Sequence, residues 1–144
     1  MTLLTAFVIE DDALIAMDLA AMLEDLGYTV YEARDLGTAA TLLDAHGVPD
    51  LTVCDGRLSE NPGGPTVLDV RALYEDVDGF DPETFFVYSG SPDIIRQYLT
   101  MYPDGQRHVF AKPHRDRLQD YLESVCMKRG NAQSGRSQKS ENHV

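Results

Sequence analysis

The chain is short of basic residues. It has 12 lysines and arginines against 24 aspartates and glutamates, a net charge of −12, which disfavours nucleic acid and anionic membrane surfaces as partners. A cation, or a protein with a basic face, suits it better. Cysteine is scarce too. Cys54 and Cys126 fall in runs that read as a strand and a helix, and no secretory signal precedes them, so reduced buried thiols are expected rather than a disulfide. No apolar run approaches the ~20 residues of a membrane-spanning helix, and the first residues lack the basic start of a signal peptide. A cytoplasmic protein is therefore expected. The histidines, His46, His108, His114 and His143, show no metal-ligand spacing and are expected as solvated loop or tail residues. No internal repeat or second domain is visible, and 144 residues suffice for one domain with a real core.

What is present is an alternation of short apolar runs with helical stripes. Ala6-Phe7-Val8-Ile9 reads as a strand ending in Glu10-Asp11-Asp12, and Asp11 or Asp12 can cap a helix carrying Ile15, Leu19, Met22 and Leu26, which Gly27 stops. Tyr28 to Tyr31 is a second strand. Asp35 caps a helix with Leu36, Ala39, Ala40 and Leu43, broken by Gly47 and Pro49. Leu51-Thr52-Val53-Cys54 forms the third strand and delivers Asp55 at its tip, with Gly56 next. The turn-rich stretch 61–65 opens a helix carrying Val67, Leu68, Ala72 and Leu73, followed by an acidic surface connection from Glu75 to Glu83. Phe85 to Tyr88 is the fourth strand, ending at Ser89-Gly90. Ser91-Pro92 caps a helix through Ile94, Ile95 and Leu99 that Pro103 closes. Val109-Phe110-Ala111 is the fifth strand and ends at Lys112-Pro113. A last helix, 116–128, carries Leu118, Tyr121, Leu122 and Val125, and residues 129–144 have too little to bury and are expected to be a disordered polar tail. Five strands alternating with five helices predict an α/β fold over residues 1–128, a doubly wound five-stranded parallel sheet.

Chemistry in such sheets gathers at the C-terminal strand tips. Here the tips carry Glu10, Asp11 and Asp12 from strand one, Asp55 from strand three, Ser89 from strand four and Lys112 from strand five. In the flavodoxin-like strand order 2-1-3-4-5, the winding reverses between strands one and three, so Asp11 and Asp55 would face each other across the crevice. Carboxylates about 5 Å apart repel by roughly 3 kcal/mol per pair at an effective dielectric near 20. A divalent cation relieves that repulsion, and oxygen-only ligands suit Mg²⁺, or Mn²⁺, rather than zinc. With Lys112 and Ser89 converging from the other side, the set is arranged to hold a phosphoryl group, Asp55 serving as nucleophile. Asp12 is expected to cap its helix rather than touch the metal.

Four blocks in order, Val8-Ile9-Glu10-Asp11, Pro49 to Asp55, Val87-Tyr88-Ser89-Gly90 and Ala111-Lys112-Pro113, resemble the receiver domain of bacterial two-component response regulators. The resemblance covers about residues 3 to 127. It implies a phospho-accepting Asp55, a metal-holding acidic pair at Glu10 and Asp11, a hydroxyl at Ser89 and a lysine at Lys112. It adds the Arg57 backbone carbonyl as a metal ligand, and it places Arg57 and Ser91 where the family tunes loss of the phosphoryl group. The partner it implies is a sensor histidine kinase or a histidine phosphotransfer protein. With no room for an output domain in the tail, a single-domain regulator is expected, which binds a downstream target, shuttles phosphate or acts as a phosphate sink.

The chain departs from that pattern in places. Ser59 stands where proline is common, and the loop at 62–65 and the acidic connection at 76–81 are long. Val109 occupies the position, three before the lysine, where many receivers carry a switching Tyr or Phe; Tyr88 and Phe110 are the aromatic neighbours, on the other strand parity. Two alternatives stay open. One is a Mg²⁺-dependent aspartyl-nucleophile phosphatase, which would want a second acid at position 57, where this chain has arginine. The other is a degenerate receiver acting as a binding module.

Overall fold

The computed structural model describes residues 4–125. They fall into two compact units, one ending at Pro113 and the other beginning at His114. In the first unit the strands are β1 (Leu4–Ile9), β2 (Tyr28–Ala33), β3 (Leu51–Cys54), β4 (Phe85–Ser89) and β5 (Val109–Ala111), and the helices are α1 (Ala13–Asp25), α2 (Leu36–His46), α3 (Val67–Glu75) and α4 (Pro92–Met101). The strands form one five-stranded sheet in the order β2-β1-β3-β4-β5, and each pairing is parallel. The fold is the expected doubly wound α/β arrangement. In the second unit a helix runs over residues 115–125, with Leu118 and Leu122 buried one turn apart. The expected end of that helix at 128, the thiol of Cys126 and the tail 129–144 lie outside the described residues.

The helix starts follow capping chemistry. The Asp12 carboxylate accepts the amides of Leu14 and Ile15 at 2.9 and 3.2 Å, so Asp12, not Asp11, caps α1. Asp35 accepts the Thr38 amide at 2.7 Å and Ser91 the Ile94 amide at 3.3 Å, with Pro92 in the first turn. Thr66 and Asp69 form a reciprocal capping box on α3. α1 ends where Gly27 takes a φ of 101° that a side chain would resist.

Strand parity sorts the core. Phe7 and Ile9 of β1, Cys54 of β3, and Phe85 and Val87 of β4 join α2, α3 and α4 in one apolar cluster. Ala6 and Val8 take the other face, and α1 packs on β1 and β2. The α3 stripe differs from expectation: Val67, Val70, Arg71 and Tyr74 are the buried residues, while Ala72 is exposed and Leu68 and Leu73 only half-buried. A helix turned by its capping box presents the i, i+3, i+4, i+7 row beginning at Val67, and one of those four positions happens to hold an arginine. His108 also differs, being 3% exposed. It packs beside Phe86, ring centroids 4.7 Å apart, whereas His46 is exposed and stacks on Tyr31 at the end of α2.

Within this core Thr52 Oγ1 and Tyr74 Oη share a hydrogen bond at 2.8 Å. Replacing Tyr74 by Phe leaves a buried hydroxyl unsatisfied and is expected to cost about 1–3 kcal/mol. Urea unfolding of Y74F checks this, and an unchanged midpoint would mean that the hydroxyls contribute nothing there.

Candidate functional site

The site begins with the sheet register. β1 pairs with β3 so that Ile9 lies beside Cys54, and the Asp55 amide donates to the Ile9 carbonyl at 2.8 Å, which sets Glu10 and Asp55 side by side with the same parity. β3 pairs with β4 at Cys54 and Val87, and β4 with β5 at Tyr88 and Phe110. Continued by one residue, the register puts Tyr88 in the row of Glu10 and Asp55, and Lys112 follows Phe110 by two on that same face. The Lys112 amide donates to the Ser89 carbonyl at 2.9 Å and fixes the end of β5 against β4. The Lys112–Pro113 peptide is cis.

The side chains meet as the register requires. Lys112 Nζ stands 3.0 Å from Glu10 Oε1 and 3.2 Å from Asp55 Oδ1, and 5.8 Å from the centre of the Tyr88 ring. Glu10, only 1% exposed, also accepts the Asp12 amide through Oε2 at 3.2 Å. Glu10, Asp11 and Asp55 each offer a carboxylate oxygen, and these lie within 4.8 Å of one another. Asp55 is buried and Asp11 exposed, so the cluster opens outward through Asp11. Three carboxylates answered by one ammonium leave a deficit of positive charge, and three hard oxygens at that spacing fit a divalent cation such as Mg²⁺ or Mn²⁺.

Protonation answers the deficit when no metal is bound. Burial, then the neighbouring Asp55 carboxylate, push the Glu10 carboxyl up to about 8, against the pull of Lys112. Burial also raises Asp55, but there the hydrogen bond from Glu10 and the Lys112 charge oppose the rise. Burial thus raises both carboxyls, and the single ammonium of Lys112 opposes the rise in each. Burial works against the Lys112 ammonium, yet Asp55 and Glu10 outweigh it and hold its pKa above the ordinary value.

Ser89 is buried beside this group. Its Oγ accepts the Ser91 amide at 3.1 Å, which leaves the hydroxyl proton for another acceptor. Gly56 comes against it so closely that a Cβ there would stand 2.7 Å from the Ser89 Cβ and 3.1 Å from Ile94 Cγ2 of α4. A glycine directly after the acid at a strand tip is the sequence signal for this close approach. Arg57 is exposed and pairs its backbone with Thr66 in an antiparallel bridge. Val109 lies beside Val87 and packs on the α2–α3–α4 cluster, whereas Phe110 packs beside Phe86. Position 109 therefore faces α4, as Tyr88 and Phe110 do not.

Two outcomes follow. In EDTA the folded protein keeps on Glu10 a proton that the unfolded chain gives up in the ordinary glutamate range. The stability tied to that proton is whole below that range and is lost as pH rises toward about 8. The urea midpoint is expected to fall over that interval and Glu10→Gln to flatten the slope; a midpoint that rises with pH would contradict the assignment. Gly56→Ala, which forces the Ser89 and Ile94 side chains apart, is expected to cost about 1–3 kcal/mol, as overpacking does, measured by the same unfolding.

No family model matches the chain, and no curated protein matches it. Solved structures do. The signal receiver domain of an HD domain-containing protein from Pseudomonas fluorescens Pf-5 is similar at a TM-score of 0.67 and 19% identity, over 94% of this chain and 95% of that one. The PhyR response regulator REC domain of Erythrobacter litoralis matches at a TM-score of 0.60 and 19% identity, over 100% and 98%. A mutant of the anti-anti-sigma factor PhyR from Bartonella quintana matches at 0.65 and 24%, over 90% of this chain, which spans only about half of that protein, 51%. Strand order, the tip constellation and these likenesses agree: the chain has the fold of the response regulator receiver domains.

Proposed function

We propose that this chain is a receiver that takes a phosphoryl group from a phosphohistidine of a sensor kinase or phosphotransfer protein onto Asp55. The observation that carries the reading is the Lys112 ammonium standing between Glu10 and Asp55, at 3.0 and 3.2 Å, beside the exposed carboxylate of Asp11. An Asp55 oxygen attacks phosphorus, the new O–P bond replacing the P–N bond of the donor, whose imidazole departs. Lys112 keeps the nucleophile ionised and offers its charge to a phosphoryl oxygen, and the free proton of Ser89 can donate to another. A Mg²⁺ ion held by Asp11, Asp55 and the Arg57 carbonyl, with Glu10 direct or through water, would supply the remaining neutralisation of phosphoryl charge. Leu14 and Met17, exposed one turn apart on α1, give the donor protein an apolar surface near the acids.

Arg57 offers no second acid two residues beyond the acceptor, which weighs against a multiple-turnover phosphatase. Among the described residues, no helix is long and apolar enough to cross a membrane. The phosphoryl group then serves a cytoplasmic signalling role, through a target protein or as a phosphate sink.

Incubation with acetyl phosphate and Mg²⁺ is expected to add one acid-labile phosphate, seen by intact-mass spectrometry, and Asp55→Asn to abolish it. Equal labelling of the D55N protein would remove Asp55 as acceptor. Repeated turnover of a phosphomonoester would instead restore the phosphatase reading. Millimolar Mg²⁺ is expected to raise the melting temperature above that in EDTA, because ligand bound to the native state alone stabilises it; coincident melts would argue against a metal at the acids.

A further inference from the structure

A second polar cluster lies at the opposite end of the sheet, and the proposed phosphoryl chemistry makes no use of it. Short 3-10 turns at Pro82–Thr84 and Pro103–His108 precede β4 and β5. Between them, α3 and the end of α4 lies a cavity of ≈ 210 Å³, below the ~300 Å³ where drug-sized pockets begin. Its buried wall holds Arg71 and His108, 5% and 3% exposed. Its exposed wall holds Glu83, Met101 and Asp104, and Glu83 Oε1 is met by Arg107 Nη2 at 3.1 Å and lies 3.8 Å from His108 Nε2.

Arg71 is unusually placed for an arginine. Nη1 donates to the Tyr98 hydroxyl at 2.5 Å, and the guanidinium carbon lies 4.0 Å from the centre of the Tyr102 ring, also on the cavity wall. Nε is buried without a hydrogen-bond acceptor. The Glu75 carboxylate stands 3.7 Å from it, too far to accept, and is 45% exposed. A buried guanidinium whose Nε finds no acceptor, in a residue that lines a cavity of this size, suits a carboxylate. A plain anion would have to pass Asp104, and a Glu83 whose charge Arg107 only partly offsets, in a chain of net charge −12. A plain cation would meet Arg71. Charge of opposite sign at the two depths instead sorts a dipolar ligand, and Met101 and Tyr102 offer its short carbon chain an apolar side.

We propose that this cavity binds a small dipolar molecule of the amino-acid class, its carboxylate on the Arg71 guanidinium and its ammonium on Asp104, beside the Glu83 carboxylate that Arg107 also holds. The site is independent of phosphorylation, so it is tested on the D55N protein, where failure leaves the acceptor reading untouched. Titrations by ¹H–¹⁵N correlation spectra use glycine, β-alanine and 4-aminobutyrate as probes, with acetate and methylammonium as single-charge comparisons. At least one dipolar probe is expected to give saturable shifts confined to residues 101–108 and the neighbourhood of Arg71, with about tenfold tighter binding than either single-charge probe. Met101→Trp, at an exposed position on the mouth, is expected to abolish those shifts while leaving the far-UV spectrum unchanged, and Asp104→Asn to weaken them. Because Arg71→Gln risks the fold, these two surface variants carry the test. Shifts that never saturate, acetate or methylammonium binding as well as the dipolar probes, or binding untouched by Met101→Trp would each overturn the proposal.

Discussion

The ammonium of Lys112 is the constraint on which the site depends. Burying Glu10 and Asp55 next to each other is unfavourable on two counts, lost hydration and like-charge repulsion, and one lysine reaching both carboxylates at hydrogen-bonding distance offsets part of each. It cannot offset all, so the Glu10 carboxyl is pushed up to about 8 by burial and by Asp55. The pocket is thereby left short of positive charge, a property that suits it to a divalent cation.

That arrangement is rigid because backbone pairing sets it. Hydrogen bonds from Glu10 to Ala33, Asp55 to Ile9 and Lys112 to Ser89 extend the ladders by one residue beyond the strands, so the site residues leave the sheet in register. Gly56 then lets β3 turn against Ser89 and the first turn of α4 without a side chain between them. The acid tip and α4 are thus in direct contact through Ser89 and Ile94, and Val109 packs on the same cluster as α4. At the other end of α4, Tyr98 and Tyr102 are held by Arg71 through a hydrogen bond and ring contact. The helix is therefore gripped at both ends by polar groups bedded in aromatic and aliphatic packing.

Much of this was legible from the residues alone, because it is local. Two-residue alternation and apolar runs mark the strands, Asp12, Asp35 and Ser91 mark helix starts by hydrogen bonds that span three residues, and an acid, hydroxyl or lysine at a strand tip needs no distant partner to be noticed. What misled was also local in origin. Counting apolar letters along α3 cannot place an arginine inside, and a loop position taken alone points His108 to solvent.

By itself, then, the amino-acid order determined the elements, their alternation and the identity of the residues at each rim, since each depends on backbone propensity and neighbours a few positions away. The tertiary structure decided which of those residues touch: that parity carried across four strands lays Lys112 over Glu10 and Asp55, that Gly56 abuts Ser89, and that Arg71 lies among rings from α4 and β4. These outcomes depend on register and on desolvation, which arise only when segments dozens of residues apart exclude water from one another, and no window of sequence contains both sides of such a contact.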